Sequence, residues 1–348
     1  MRYAELPLSA QTAYAELAEQ TRAFETTNAL GGLVGSFQKL SRKGQAYWYF
    51  GYREPGGKVR LSYVGPDEER VRALIERFGK SRREKPLAPQ AQSAIALGCM
   101  PTAPKHFRMV KRLADYGFFR AGGVLIGTHA FVAFGNLLGV RWSQASSTLD
   151  VDFAHAGKNV SVALPADLRI DVHGALESLE MGLLPLTEFD GGAGAQYRNP
   201  RDQELRLDFV TSATRARKPV VMPELNLALE PLKFMEFSLE GTTQACIFAN
   251  AGACTVNVPA PERYAVHKLI VHGERPPAER PKARKDLLQA ASLAEFFLEH
   301  DSPARFNRAW NDALSRGSGW VRRARAGRRA LLAIAPDLDR QTLWREKP

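Results

Sequence analysis

Asp150 and Asp152, one residue apart in TLDVDF, are the side chains whose type and spacing most directly suggest chemistry. On an extended strand, residues i and i+2 point to one face, so the two carboxylates would stand side by side. Like charges a few ångströms apart raise a pKa strongly unless something cationic sits between them. A hard divalent ion, Mg2+ or Mn2+ in its place, takes carboxylate oxygens and keeps positions open for phosphate oxygens. A third carboxylate, Asp208 in LRLDFV or Asp171 in the similar LRIDV, would complete such a site and serve as general base for an attacking hydroxyl. Gly127 and Thr128 suit the same chemistry. A backbone without Cβ lets a phosphate chain approach, the following helix start offers free N–H groups, and threonine adds a hydroxyl. Transfer at phosphorus needs mostly positioning and charge stabilisation, which this kit supplies.

The elements that must position these residues are legible around them. GGVLIG (122–127) is a short apolar run with the look of a buried strand, and THAFVAFGNLLG continues as an apolar helix. Residues 148–153, 168–172 and 205–210 supply further strands, with an amphipathic helix around 174–183. Strands alternating with helices predict an α/β core with a short mixed sheet flanked by helices. Upstream, residues 8–24 read as a helix, followed by a Gly31-Gly32 turn. QAYWYFGYREPGGKVRLSYVGP reads as a β-hairpin around Pro55-Gly56-Gly57, residues 66–78 as a capped helix and 79–90 as a linker. Residues 104–120 are again helical. Beyond 220, FMEFSL, TQACIFA and CTVNVP are strand-like, and helices follow at 261–274, 282–299 and 303–315 before an Arg-rich end. Three regions result: 1–90 with the helix and basic aromatic hairpin, 104–220 with the candidate catalytic core, and a mostly helical 221–348.

VLIGTHAF, TLDVDFA and LRLDFV resemble the three signatures of the nucleotidyltransferase superfamily: an apolar residue with Gly-Gly/Ser/Thr, then Asp-x-Asp/Glu, then an Asp on a later strand. Thr128 stands where serine or glycine is commoner. The Gly-Thr, a basic residue such as Arg141 and Thr-x-Asp-x-Asp are similar to the abortive-infection toxin-type nucleotidyltransferases of bacteria. PERYAVHKLIVHGER (261–275) and KARKDLLQA (282–290) look like that branch's lysine helix and later basic-acid pair. More narrowly, the arrangement is similar to a bacterial nucleotidyltransferase-like family with the same N-terminal hairpin. The resemblance implies Mg2+ on Asp150, Asp152 and Asp208, phosphate contact by Gly127, Thr128 and Lys268, and Lys285-Asp286 as the later pair. It also favours Asp208 over Asp171, because the family position falls after an intervening helix. An NTP substrate is implied, with an RNA end such as tRNA, a protein hydroxyl or a small molecule as acceptor, and an antitoxin-like protein as partner.

Composition bounds the remaining readings. The 348 residues are 45% hydrophobic and 24% charged, with a formal net charge of +11 and a pI near 9.7, which attracts polyanions, nucleic acid first among them. No apolar run reaches the roughly 20 residues of a membrane span, and the start lacks a signal-peptide layout, so a cytoplasmic location is expected. Cys99, Cys246 and Cys254 lie far apart and read as buried small hydrophobes, and His155, His173, His267 and His272 lack metal spacing. Two surfaces could meet nucleic acid. The hairpin interleaves Tyr47, Trp48, Tyr49, Tyr52 and Tyr63 with Lys and Arg, and residues 303–330 hold eight arginines against one acid, Asp312. The reading from a different class is a nucleic-acid-binding or antitoxin-partnered regulatory module that keeps the fold without turnover.

Overall fold

The computed structural model describes residues 1–29, 35–42, 44–53, 59–73, 75–76, 87–144, 148, 150–156, 170–186, 194–213, 218–275, 280–300 and 302–346. The expected turns at Gly31-Gly32 and Pro55-Gly56-Gly57, most of the 79–90 linker and residues 168–169 lie outside them.

Short, largely buried strands make the central sheet. β5 (Gly123–Leu125), β7 (Asp150–His155), β10 (Asp202–Ser212), β12 (Leu227–Leu232) and β11 (Val220–Met222) lie in the spatial order β11-β12-β10-β7-β5. β7, β10 and β12 run parallel, with antiparallel β5 and β11 at the edges. β8 (Leu184–Leu186) and β9 (Gln196–Asn199) add an antiparallel pair against the start of β10. The sheet is therefore mixed, three parallel strands flanked by two antiparallel edges. Phe153 and Phe209 stack at 5.2 Å across β7 and β10, and Phe118 meets both edge-on.

The helices are α1 (Leu8–Ala29), α2 (Ala88–Ala96), α3 (Pro104–Asp115), α4 (Gly127–Leu138), α5 (Val172–Glu177), α6 (Met235–Leu239), α7 (Pro261–His272), α8 (Arg280–Glu299), α9 (Pro303–Ser315), α10 (Ser318–Ile334) and α11 (Gln341–Trp344). A hairpin of β13 (Thr242–Ala249) and β14 (Gly252–Pro259) seats α1 and α2, while α8, α9 and α10 gather round α7. Trp310 and Phe306 are fully buried against Trp344 at 5.0 and 5.1 Å, each burial contributing roughly 1.5–3 kcal/mol. One apolar cluster runs from Tyr3 to Trp344. No described helix is long and apolar enough to cross a membrane.

Several local expectations are corrected. FMEFSL is not a strand: Phe234 adopts φ +66° and Met235–Leu239 form α6, buried on several sides. In LRIDV, Ile170 and Asp171 are irregular and Val172 opens α5, because Asp171 caps that helix. The aromatic hairpin has a third strand. β2 (Gly35–Arg42), β3 (Gln45–Arg53) and β4 (Val59–Pro66) form a sheet in that order. β1 (Tyr3–Glu5) pairs with β6 (Val140–Trp142), a contact too short to leave a sequence signal. The helix expected over 66–78 is present at 69–73 and 75–76.

Candidate active site

The site is built where three strands and one helix start meet. Asp150 and Asp152 share a face of β7, and β10 runs parallel beside it in a register that sets Asp208 directly opposite Asp152. Three carboxylates thereby crowd one end of the sheet. Burial, then Asp208 and Asp150, push the Asp152 carboxyl up to about 6. Asp208 is 15% exposed and presents both oxygens to Arg206, at 3.2 Å from Nε and 2.8 Å from Nη2.

β5 delivers the helix start to this cluster. The N–H of Ile126 donates to the Asp152 carbonyl at 2.9 Å, and Gly127 follows with φ +61°. A Cβ at Gly127 would lie 2.1 Å from Asp152 Oδ2, so only glycine fits between the β5–α4 turn and this carboxylate. α4 starts with no side-chain cap, which leaves its first-turn N–H groups for a ligand beside the carboxylates. Thr128 is 6% exposed in that turn. The Tyr264 hydroxyl donates to the Gly127 carbonyl at 2.9 Å and lies 2.7 Å from the Gln289 side-chain amide, tying the turn to α7 and α8.

Cations line the α8 side. Lys282 and Lys285 stand one helical turn apart, and the field of Lys282 reaches Asp152 while Lys285 feels both Asp152 and Asp150. Burial, then the neighbouring Lys268, lower the Lys285 ammonium below its ordinary range. Lys268 itself is engaged elsewhere: its Nζ donates to Asp286 Oδ1 at 2.6 Å and lies 5.1 Å from the Tyr264 ring centre. Arg275 holds the other Asp286 oxygen at 2.7 Å.

The structure thus brings Gly127, Thr128, Asp150, Asp152 and Asp208 together, with Lys268 behind them on a buried ion pair. Asp171 is placed apart, accepting from the Gly174 N–H and from Asn226 Nδ2, both at 2.8 Å, as the cap of α5. Arg141 donates to the Gly98 carbonyl at 2.7 Å. His129 is buried with its Nε2 3.0 Å from His106 Nδ1, and burial and that neighbour push it down to about 3. Arg206, Lys282 and Tyr264 were missed by the sequence reading. For Arg206 the signal was present, since it precedes Asp208 by two on the same strand.

As a donor set, Asp150 and Asp152 fit a hard divalent cation: two carboxylates on one strand face, with Asp152 raised by burial and then by its negative neighbours. Among the described residues, no three acid, imidazole or thiol side chains are grouped closely enough to hold one metal ion, and Asp208 is paired with Arg206.

A family model described as a nucleotidyltransferase matches residues 105–315, a span that contains every residue of this cluster. No curated protein and no solved structure matches the chain.

Proposed function

The chain belongs to the nucleotidyltransferase family, and on that premise we propose that it transfers a nucleotidyl group from an NTP to a hydroxyl acceptor at the Asp150–Asp152–Asp208 cluster. The observation that carries this reading is the register of β7 and β10, which sets Asp208 opposite Asp152 while Gly127 seals against the same carboxylate. Asp150 and Asp152, with Asp208 as third ligand, would hold Mg2+, which supplies charge neutralisation at the phosphates when bound.

The chain's own groups account for the rest. The N–H groups opening α4 and the ammonium groups of Lys282 and Lys285 suit the triphosphate, and Lys268 steadies α8 through Asp286. The acceptor oxygen attacks the α-phosphorus, the bond between that phosphorus and the bridging oxygen to the β-phosphate breaks, and pyrophosphate leaves. The hydroxyl proton passes to Asp208, which Arg206 orients. The basic charge of the chain favours RNA as acceptor, and a toxin-like role follows from the resemblance to abortive-infection enzymes.

The Arg206–Asp208 ion pair favours a second reading, a binding module without turnover, since it occupies the third carboxylate. Incubating the protein with Mg2+, each labelled NTP and total RNA or lysate, beside Asp150→Ala and Asp152→Ala, separates the two. Label transfer lost in both variants supports the enzyme, whereas transfer that survives both rules out this site and absence of any transfer supports the module.

A further inference from the structure

The sheet of β2, β3 and β4 contributes no residue to the three apolar clusters of the described residues, and its two faces differ. One face is covered. There the Phe37 and Phe50 rings meet at 5.1 Å, Trp48 Nε1 donates to Asp67 Oδ1 at 2.9 Å, and Gly65 lies against Val71. The other face carries Leu40 opposite Tyr47 and Tyr49 opposite Tyr63, and it opens to solvent. Tyr47, Tyr49 and Tyr63, with Arg42 and Gln45, line an open hollow of about 570 Å³. Tyr63 meets Tyr49 at 5.6 Å and Tyr47 at 6.1 Å, and is itself 59% exposed.

We propose that this tyrosine face docks single-stranded RNA, stacking unpaired bases on Tyr47, Tyr49 and Tyr63 while Arg42 meets the phosphate backbone. Three phenol rings around one hollow offer π-faces that every base can use, and stacking of this kind tolerates sequence. Charge selects the occupant. Residues 35–66 hold six Lys and Arg against the single acid Glu54, and among the described residues no acid lines the hollow. A second copy of the chain would bring a formal +11 against +11. A duplex would hide its base faces from the tyrosines.

The inference deepens the RNA-acceptor reading yet separates from it, because this binding needs neither nucleotide nor metal. The test is fluorescence anisotropy of a labelled single-stranded RNA oligomer with the full chain in EDTA, against a duplex of the same sequence and against heparin as a baseless polyanion. Tyr63→Ala, at an exposed position, is expected to weaken single-strand binding roughly tenfold, and Tyr63→Trp to restore it. Arg42→Ala is expected to lower the salt dependence by about 0.7 in log–log slope. Asp150→Ala should bind as the parent does, even if transfer activity is absent. Equal affinity of Tyr63→Ala and the parent, or single strand, duplex and heparin bound equally, overturns the proposal. So does capture of an acidic protein on this face with no RNA bound.

Discussion

At the scale of single residues, the account rests on side chains that tolerate no neighbour or no solitude. Gly127 belongs to the first kind. Gly127→Ala would force a Cβ into Asp152 Oδ2 at a positive φ, and we expect it to cost about 1–3 kcal/mol in denaturant unfolding and to reduce transfer. Lys268 and Asp286 belong to the second. Asp286→Ala would strand a buried ammonium and should lower stability by roughly 3–5 kcal/mol, whereas the double change Lys268→Met with Asp286→Leu should recover most of it. Buried His267, pushed down from 6.5 to about 3, gives a pH signature. The unfolded chain takes that proton more readily, so stability is lost as pH falls from 6.5 toward 3. Urea midpoints at pH 7 and pH 5 should show roughly 1–2 kcal/mol of this loss in the parent and less in His267→Leu. Asp286 is shifted below 3.8, so its contribution is unchanged between pH 7 and pH 5 and fades only below about pH 4.

At the scale of elements, the sequence was informative where a pattern was local. Asp150 and Asp152 could be paired from strand alternation, and β13, β14 and α9 were visible from their periodicity. Asp208 and Asp171 could not be ranked from side-chain chemistry, since both sit between apolar residues. Gly174 and Asn226 rank them by claiming Asp171 as a helix cap. FMEFSL was ambiguous because a short apolar run suits a buried strand or a buried helix equally. The close crossing of α7 and α10 was invisible for another reason. It depends on Gly327, where a Cβ would lie 2.2 Å from the Leu269 carbonyl oxygen three helices earlier in the chain. Gly327→Ala should therefore destabilise by about 1–3 kcal/mol in chemical denaturation, overpacking outweighing the gain of about 1 kcal/mol in helix propensity.

At the scale of the whole molecule, charge is the quantity that the chain's one-dimensional reading distorts. The arginines of 303–330 looked unbalanced because all of their acids but Asp312 lie outside that segment. Arg305 meets Glu262, Arg316 meets Glu240 and Asp312, Arg323 meets Glu274, Arg325 meets Glu346 and Arg328 meets Asp339. Arg308, Arg322 and Arg329 remain exposed. Much of this basic end thus ties helices together, which shifts the expected polyanion contact toward the N-terminal sheet. The central claim concerns the site where β7, β10 and α4 converge. Its most direct test follows two labels in parallel with Mg2+ and RNA: one on the α-phosphorus of the NTP and one on the γ-phosphorus. The account predicts that the α-label enters the acceptor and the γ-label leaves as pyrophosphate, with both lost roughly a thousandfold in Asp152→Asn. A γ-label found on the acceptor, or an α-label transferred undiminished by Asp152→Asn, would contradict it.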